Sequence, residues 1–247
     1  YVNFNMQKFA HKHITWHSSN LDDNEIQLTP LKLIGLKKRK KQKKYLSIID
    51  IELSRYQFRM NSIPTPSEIQ LEYEMLHNFV ERLEPKIKDK IKYRVTQNYG
   101  WNFKKKFENK FGKNKIDNSK NMYELISCSK IVVHKYPSTP FTESIYMNVP
   151  SVLLYRKDSW RFRPEYDQLL KRLEVSKILF YEPSELSRHL SNNWNNIDGW
   201  WKSENVQKTL EDLKNNFMKI DKNWINEYQS FFDDLKNDNL NSMRKYI

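Results

Sequence analysis

The stretch KIVVHKYPSTPFTESIYMNVPSVLLYR, from Lys130 to Arg156, decides the fold. Its apolar run Ile131–Val133 has no alternation, which is the pattern of a parallel strand buried on both faces. Ser138 or Thr139 then offers a helix cap, and Pro140 stands in the first turn, where no N–H is needed. The helix ends before the next proline, and a second apolar run, SVLLY, follows at once. The stretch therefore predicts a strand, a short helix and a second buried strand.

Short apolar runs alternate with helical patterns on both sides of this unit. YLSIIDI (45–51) and KYRVT (92–96) precede it, and another apolar run (177–181) follows it. Amphipathic spacing between the runs indicates helices, the first of them beginning at Ser67 with the capping box Ser67-x-x-Gln70. Ser119 is expected to cap the helix that leads into the central unit. This alternation predicts an α/β fold, a doubly wound parallel sheet, with a helical C-terminal tail.

Three segments follow from the pattern. Residues 1–44 are polar and show no sustained period, so we expect an irregular linker there. Residues 45–202 would form the sheet domain, and residues 203–247 would form amphipathic helices that pack on it.

Composition narrows the class of protein. No apolar run approaches the ~20 residues of a spanning helix, which excludes an integral membrane protein. The single cysteine, Cys128, argues against a disulfide framework and fits a reducing compartment.

The formal charge of +13 is concentrated in two stretches. Residues 32–60 carry ten Lys and Arg against two acidic residues, and residues 86–120 carry twelve against three. Basic surface confined to part of a fold suggests an anionic ligand or an anionic surface. The run KKRKKQKK (37–44) resembles a nuclear-import or nucleic-acid patch, and the alternative is a solvated loop that leads into a strand.

The candidate ligand site lies at the carboxyl end of the central strand. Ligands of parallel α/β sheets bind beyond such ends, near helix N-termini, and His134 to Glu143 occupy this position. First-turn N–H groups and the hydroxyls of Ser138 and Thr139 suit a phosphate or diphosphate. Glu143, about one turn in, can accept hydrogen bonds from sugar or ribose hydroxyls. In the structural alternative, the hydroxyls only cap the helix and Glu143 complements its dipole.

Three arginines are further candidates. Arg55 and Arg59, four residues apart after the first strand, can grip a phosphate or carboxylate bidentately, or pair at the surface. Arg94 stands inside a strand-like run, where a charge needs a partner. The sequence has no dinucleotide-binding or P-loop motif and no cysteine–histidine zinc pattern, so we predict neither a cofactor nor a metal.

Four segments together resemble a known family: RYQFRM (55–60), YRVTQNYGW (93–101), MYELISCSKIVVHKYPSTPFTESIYMNVPSVLLY (122–155) and NIDGWWKSENVQ (196–207). They are similar to the C-terminal half of transferases from bacterial surface-carbohydrate gene clusters, a family similar to GT-B glycosyltransferases. The resemblance implies a Rossmann-like, donor-binding domain of the GT-B C-terminal type. It also implies that residues 1–44 close an N-terminal acceptor domain that is missing upstream of Tyr1.

The resemblance also implies residue roles. Ser138, Thr139 and Glu143 would contact the phosphates and ribose of a nucleotide sugar, and Arg94 matches the family's arginine on the corresponding strand. The loop before Tyr99 departs from the family, because Thr96-Gln97-Asn98 replaces its usual proline and acidic residue or histidine. No catalytic residue is identified. The expected substrate-binding set is Arg55, Arg59, Arg94, Tyr99, Trp101, His134, Ser138, Thr139 and Glu143.

The leading hypothesis is a glycosyltransferase-like enzyme, or its donor-binding part, in bacterial surface polysaccharide synthesis. Its partners would be a nucleotide-activated sugar donor and a carbohydrate or lipid-linked acceptor. The alternatives are transfer of a polyol phosphate and a basic nucleic-acid-binding module. The absence of a readout motif such as a helix-turn-helix disfavours nucleic acid. We expect a cytoplasmic protein, with peripheral contact at the inner face of an anionic membrane through the basic run.

Overall fold

A computed structural model describes residues 11–17, 24–36, 43–56, 64–95, 97–160, 162 and 164–244, with side chains up to residue 237. The chain divides into two compact units, one from Leu36 to Asp212 and one made of the residues on either side of it. Three features from the sequence lie outside the described residues: Arg59, Thr96 and residues 37–42 of the basic run.

The strands are β1 (His13–Thr15), β2 (Glu25–Gln27), β3 (Tyr45–Asp50), β4 (Ile91–Val95), β5 (Ser129–His134), β6 (Ser151–Leu154) and β7 (Leu179–Phe180). The α-helices are α1 (Pro66–Arg82), α2 (Pro85–Lys88), α3 (Phe103–Phe111), α4 (Met122–Cys128), α5 (Thr139–Tyr146), α6 (Asp167–Val175), α7 (Pro183–Asn193), α8 (Ile197–Trp201), α9 (Glu204–Phe217) and α10 (Trp224–Arg244). Short 3-10 helices cover Leu31–Leu33, Lys113–Lys115, Pro164–Tyr166 and Trp194–Asn196.

The larger unit is built on one five-stranded sheet. Its strand order is β4-β3-β5-β6-β7, and every neighbouring pair is parallel. Helices connect successive strands, as parallel pairing requires. This sheet and the long helices at the C-terminal end confirm the predicted α/β class with its helical tail.

Apolar side chains cover both faces of the sheet. One face packs against α1 and α7 and forms the main core, with Leu46, Ile48, Leu76, Phe79, Val133, Val152, Leu186 and Leu190 among its members. The other face packs against α4 and the end of α5, through Ile49, Ile126, Val132, Met147 and Val149. Alternate residues of β3 and β5 thus point to opposite helical layers, which also decides the direction of the polar residues at their ends.

Two helix starts differ from the prediction. Helix α1 begins one residue before Ser67, because Thr65 is its N-cap and forms the capping box with Glu68. Pro66 takes the first helical position, where the missing N–H costs nothing. Helix α4 is capped by Asn121, whose side chain accepts a hydrogen bond from the Glu124 N–H.

The smaller unit contains the parallel pair β1–β2 and helix α10. Thr29 is buried and joins two parts of it: its N–H donates to Glu227 (3.0 Å), and its carbonyl accepts from the Tyr228 hydroxyl (2.9 Å). The buried Glu25 carboxylate lies 3.4 Å from Nδ1 of His13. No helix in the described part of the chain is long and apolar enough to cross a membrane.

Candidate functional site

The order of the strands defines where a ligand site is expected. From β3 the chain moves to β4 on one side and then returns to β5 on the other side. The carboxyl ends of β3 and β5 are therefore a topological switch point, the position at which doubly wound sheets bind ligands. Ile49 pairs with His134 across this boundary, so the residues that follow them, Asp50 and Lys135, leave the sheet side by side on the α1 face.

Asp50 ends β3 in a buried position and is held by hydrogen bonds. Its Oδ2 accepts from the Tyr93 hydroxyl at 2.8 Å, and its Oδ1 accepts from the Ile51 N–H at 2.8 Å. Burial raises the pKa of Asp50 from 3.8 to about 6, although Lys135 and the two hydrogen bonds act in the opposite direction. The charged form of this carboxyl group is therefore costly, and its titration lies close to neutral pH.

Lys135 and Glu72 form a buried ion pair beside Asp50. The Lys135 ammonium donates to Oε2 of Glu72 at 2.9 Å and to the Glu72 backbone carbonyl at 2.8 Å. Oε1 of Glu72 accepts from the Arg156 N–H at 2.7 Å. One carboxylate thus ties helix α1 to the segments that follow β5 and β6, which fixes the carboxyl edge of the sheet.

A small cavity opens between these groups. Its polar lining consists of Asp50, Glu72, Tyr73, Lys135 and Trp160, and its apolar lining includes Ile51, Leu53, Pro64, Ile69 and Phe103. Its volume is about 20 Å³, the size of one water molecule or one hydroxyl group. Charged groups, a neutral hydroxyl and an indole therefore line one small cavity at the topological switch point.

The predicted residues His134 and Glu143 lie on the opposite face, towards α4 and α5. His134 is buried, and burial lowers its pKa to about 3, so its imidazole is neutral. Its ring meets Phe141 edge-on at 5.5 Å. Glu143 is also buried, and its Oε1 accepts a hydrogen bond of 2.9 Å from the Tyr123 hydroxyl. Burial, followed by this bond, raises the pKa of Tyr123 to about 12.

The first turn of α5 offers fewer donors than the sequence suggested. Ser138 is the N-cap residue, but its hydroxyl makes no capping hydrogen bond. The N–H groups of Phe141 and Thr142 both donate to the Ser138 carbonyl, and Pro140 has no N–H. An anion at this end would be bound mainly by the hydroxyls of Ser138 and Thr139 and by the N–H of Thr139.

Another buried carboxylate orders the loop that follows β4. Glu52 accepts from the N–H of Tyr99 at 2.7 Å and from the N–H of Phe103 at 2.6 Å, at the start of α3. Trp101 donates its indole N–H to the Leu53 carbonyl at 2.9 Å. Arg55 is exposed, with its guanidinium 5.7 Å from the Trp101 ring. These contacts bring Arg55, Tyr99 and Trp101 together in a loop pair beyond β3 and β4.

Arg94 has the partner that its position on a strand required. Its guanidinium donates to Asp117 at 2.6 Å and to the carbonyl and hydroxyl of Ser119 at 3.2 Å. Ser119 is therefore part of this ion-pair cluster, and the predicted capping of α4 by Ser119 was wrong. Arg94 points to the face of the sheet opposite Tyr93, within a polar pocket of about 290 Å³.

The structure thus separates the predicted site residues that it describes, all but Arg59, into three groups. His134, Ser138, Thr139 and Glu143 lie together around α5; Arg55, Tyr99 and Trp101 share the loops beyond β3 and β4; Arg94 pairs with Asp117. Sequence reasoning missed Asp50, Glu72, Tyr73 and Lys135. A signal existed, because Asp50 and Lys135 continue the inward alternation of Ile48 and Val133, and Glu72 lies in the apolar stripe of its helix.

The described residues contain no group of three or more His, Cys, Asp and Glu side chains that could hold a metal ion. The sequence matches the LIC12162 family transferase over residues 1–232. No curated protein and no solved structure matches the chain. Because the family match covers almost the whole sequence, the chain belongs to the LIC12162 family of transferases.

Proposed function

We propose that this transferase uses a nucleotide-activated sugar and transfers the sugar to a carbohydrate or lipid-linked acceptor in bacterial surface polysaccharide synthesis. In this proposal the larger unit is a Rossmann-like donor-binding domain of the GT-B type. The reaction would take place in the cytoplasm, where the single cysteine, Cys128, stays reduced.

The observation that supports the donor site best is the position of Glu143. Its carboxylate is buried one turn into α5, a helix that begins at the switch point, and the Tyr123 hydroxyl holds one of its oxygens. A fixed carboxylate at this depth can bind the vicinal hydroxyls of a ribose, while Ser138 and Thr139 contact the phosphates at the helix start. Charged acceptors make the stronger hydrogen bonds to hydroxyl groups.

Isothermal titration with nucleoside mono- and diphosphates, nucleotide sugars and nucleotide-activated polyols tests this proposal. We expect at least one nucleotide to bind with millimolar affinity or better, about −4 kcal/mol or more favourable. Glu143→Gln keeps an acceptor for Tyr123 and removes the charge. It should weaken nucleotide binding by about 1.5–3 kcal/mol, the range for a hydrogen bond to a charged group.

The control is Glu185→Gln, an exposed carboxylate in the first turn of α7, which should leave nucleotide affinity unchanged. Equal and negligible effects of both substitutions would make Glu143 a structural residue and refute the donor site. Binding of single-stranded nucleic acid a thousandfold tighter than every nucleotide, with a steep salt dependence, would favour the nucleic-acid alternative.

A further inference from the structure

The cavity at the switch point has more hydrogen-bonding capacity than its own residues use. The Tyr73 hydroxyl lines it and has no hydrogen-bond partner within the described part of the chain, although the residue is only 5% exposed. Its ring is fixed by a stack on Phe103, with centroids 4.2 Å apart and planes 8° apart. A buried hydroxyl without a partner is costly, so a ligand group that pairs with it gains affinity.

Asp50 offers acceptor sites on the same side. An ionised carboxylate has about four lone-pair sites, and the described contacts of Asp50 occupy two of them. The Trp160 ring also lines the cavity and stacks on the Tyr136 ring, with the ring centroids 5.5 Å apart. The Trp160 indole N–H has no acceptor among the described residues. An aromatic wall beside a carboxylate and a hydroxyl suits a ligand with aliphatic C–H groups and hydroxyls.

We propose that this cavity binds a hydroxyl group of a sugar or polyol acceptor, with Asp50 as the proton acceptor and Tyr73 as its hydrogen-bond partner. The inference rests on the proposed transferase function. The acceptor oxygen forms a bond to the electrophilic centre of the donor as its proton moves to Asp50. The bond from that centre to the phosphate oxygen breaks, and the phosphate leaves with the electron pair.

The charges around Asp50 are consistent with this role. Lys135 faces it from the residue that follows β5, and Glu72 faces it from α1. Burial is the main cause of the raised pKa of the Tyr73 hydroxyl. Electrostatic interactions with Asp50 and with Glu52, in the segment after β3, raise this pKa further. The Lys135 ammonium keeps the carboxyl group ionised at neutral pH although burial raises its pKa to about 6. A carboxylate with that pKa is a better general base than an exposed aspartate, since its conjugate acid is weaker.

Saturation-transfer NMR with glycerol and with glucose, used separately as probes at tens of millimolar, tests the proposal on the full chain. Comparison of the two probes shows whether the cavity prefers a polyol or a sugar. We expect transfer from the wild-type protein, a dissociation constant at least tenfold higher for Asp50→Asn, and at least threefold higher for Tyr73→Phe. The matched control is Tyr181→Phe, a tyrosine just beyond β7 that does not line the cavity, which should bind as wild type does.

Absence of transfer from both probes, or unchanged affinity in Asp50→Asn and Tyr73→Phe, would overturn the proposal. Tyr73→Phe keeps the ring and removes only the unpartnered hydroxyl, so the test does not depend on the folding of the Asp50 variant. Nucleotide titration of the same samples separates the two proposals. Nucleotide binding without polyol or sugar binding would refute only the proposed acceptor site. Polyol or sugar binding without nucleotide binding would refute only the proposed donor site.

Discussion

Asp50→Asn should stabilise the protein at neutral pH, because the buried carboxyl group is costly when it is ionised. A pKa of about 6 in place of 3.8 corresponds to about 3 kcal/mol at about 1.4 kcal/mol per pKa unit. Asparagine keeps both hydrogen bonds: its carbonyl accepts from the Ile51 N–H, and its amide donates to the Tyr93 hydroxyl, which can also act as an acceptor. About 3 kcal/mol is therefore an upper estimate of the increase in the free energy of unfolding that Asp50→Asn produces.

The sign of the pH dependence follows from linkage. The folded protein holds the Asp50 proton more tightly than the unfolded chain does. The protonated group therefore contributes its full stabilisation only below the unfolded pKa of 3.8, and this contribution is lost as the pH rises through 6. The advantage of Asp50→Asn over wild type should reach about a fifth of its full value at pH 4, about half at pH 5 and the full value at pH 8. Urea denaturation across this range measures it.

The control for this prediction is Asp158→Asn. Asp158 is exposed, and its hydrogen bond from Arg156 lowers its pKa, so its replacement should produce no gain as the pH rises. An Asp50→Asn variant that is less stable than wild type at pH 8 would refute the reasoning. That result would show that attraction between Asp50 and Lys135 exceeds the cost of burying the charge.

Three further changes, in the ion pair, in a helix cap and in the Tyr123–Glu143 contact, are tested by urea denaturation. Lys135→Met should cost about 3–5 kcal/mol because it leaves the Glu72 carboxylate buried without its cation, and adding Glu72→Gln should recover part of that loss; strictly additive effects would contradict the ion pair. Thr65→Ala should cost about 1 kcal/mol through the lost cap, and more than Ser67→Ala, whereas the reverse order would favour a later helix start. Tyr123→Phe should cost about 1.5–3 kcal/mol because its hydroxyl donates to a buried carboxylate, and an unchanged stability would contradict that bond.

The fold could be predicted from the sequence because its signals are local. An apolar run without alternation identifies β5, and the proline at the second position of α5 marks where that helix begins. Thr65 shows the limit of such signals. Both Thr65-x-x-Glu68 and Ser67-x-x-Gln70 fit a capping box, and Pro66 decides between them because proline is favoured at the first helical position.

The site could be predicted only in part because its contacts join distant residues. Asp50 and Lys135 are neighbours only through the pairing register of β3 and β5, which no local pattern contains. Glu72 lies 63 residues before the lysine that it binds, and Arg94 lies 23 residues before Asp117. A charge inside a strand or an apolar helix stripe predicts that a partner exists, but it does not identify the partner.

The polar groups at the carboxyl edge differ in what the fold requires of them. Glu72 has a structural explanation, because its carboxylate ties three segments together and each of its oxygens has a donor. Asp50 has a weaker one, since an asparagine would make the same two hydrogen bonds without a buried charge. Tyr73 has none, because phenylalanine would keep the stack on Phe103 and remove the unpartnered hydroxyl. The two groups that the fold needs least line one cavity at the switch point, and the proposed binding and proton transfer would account for both of them.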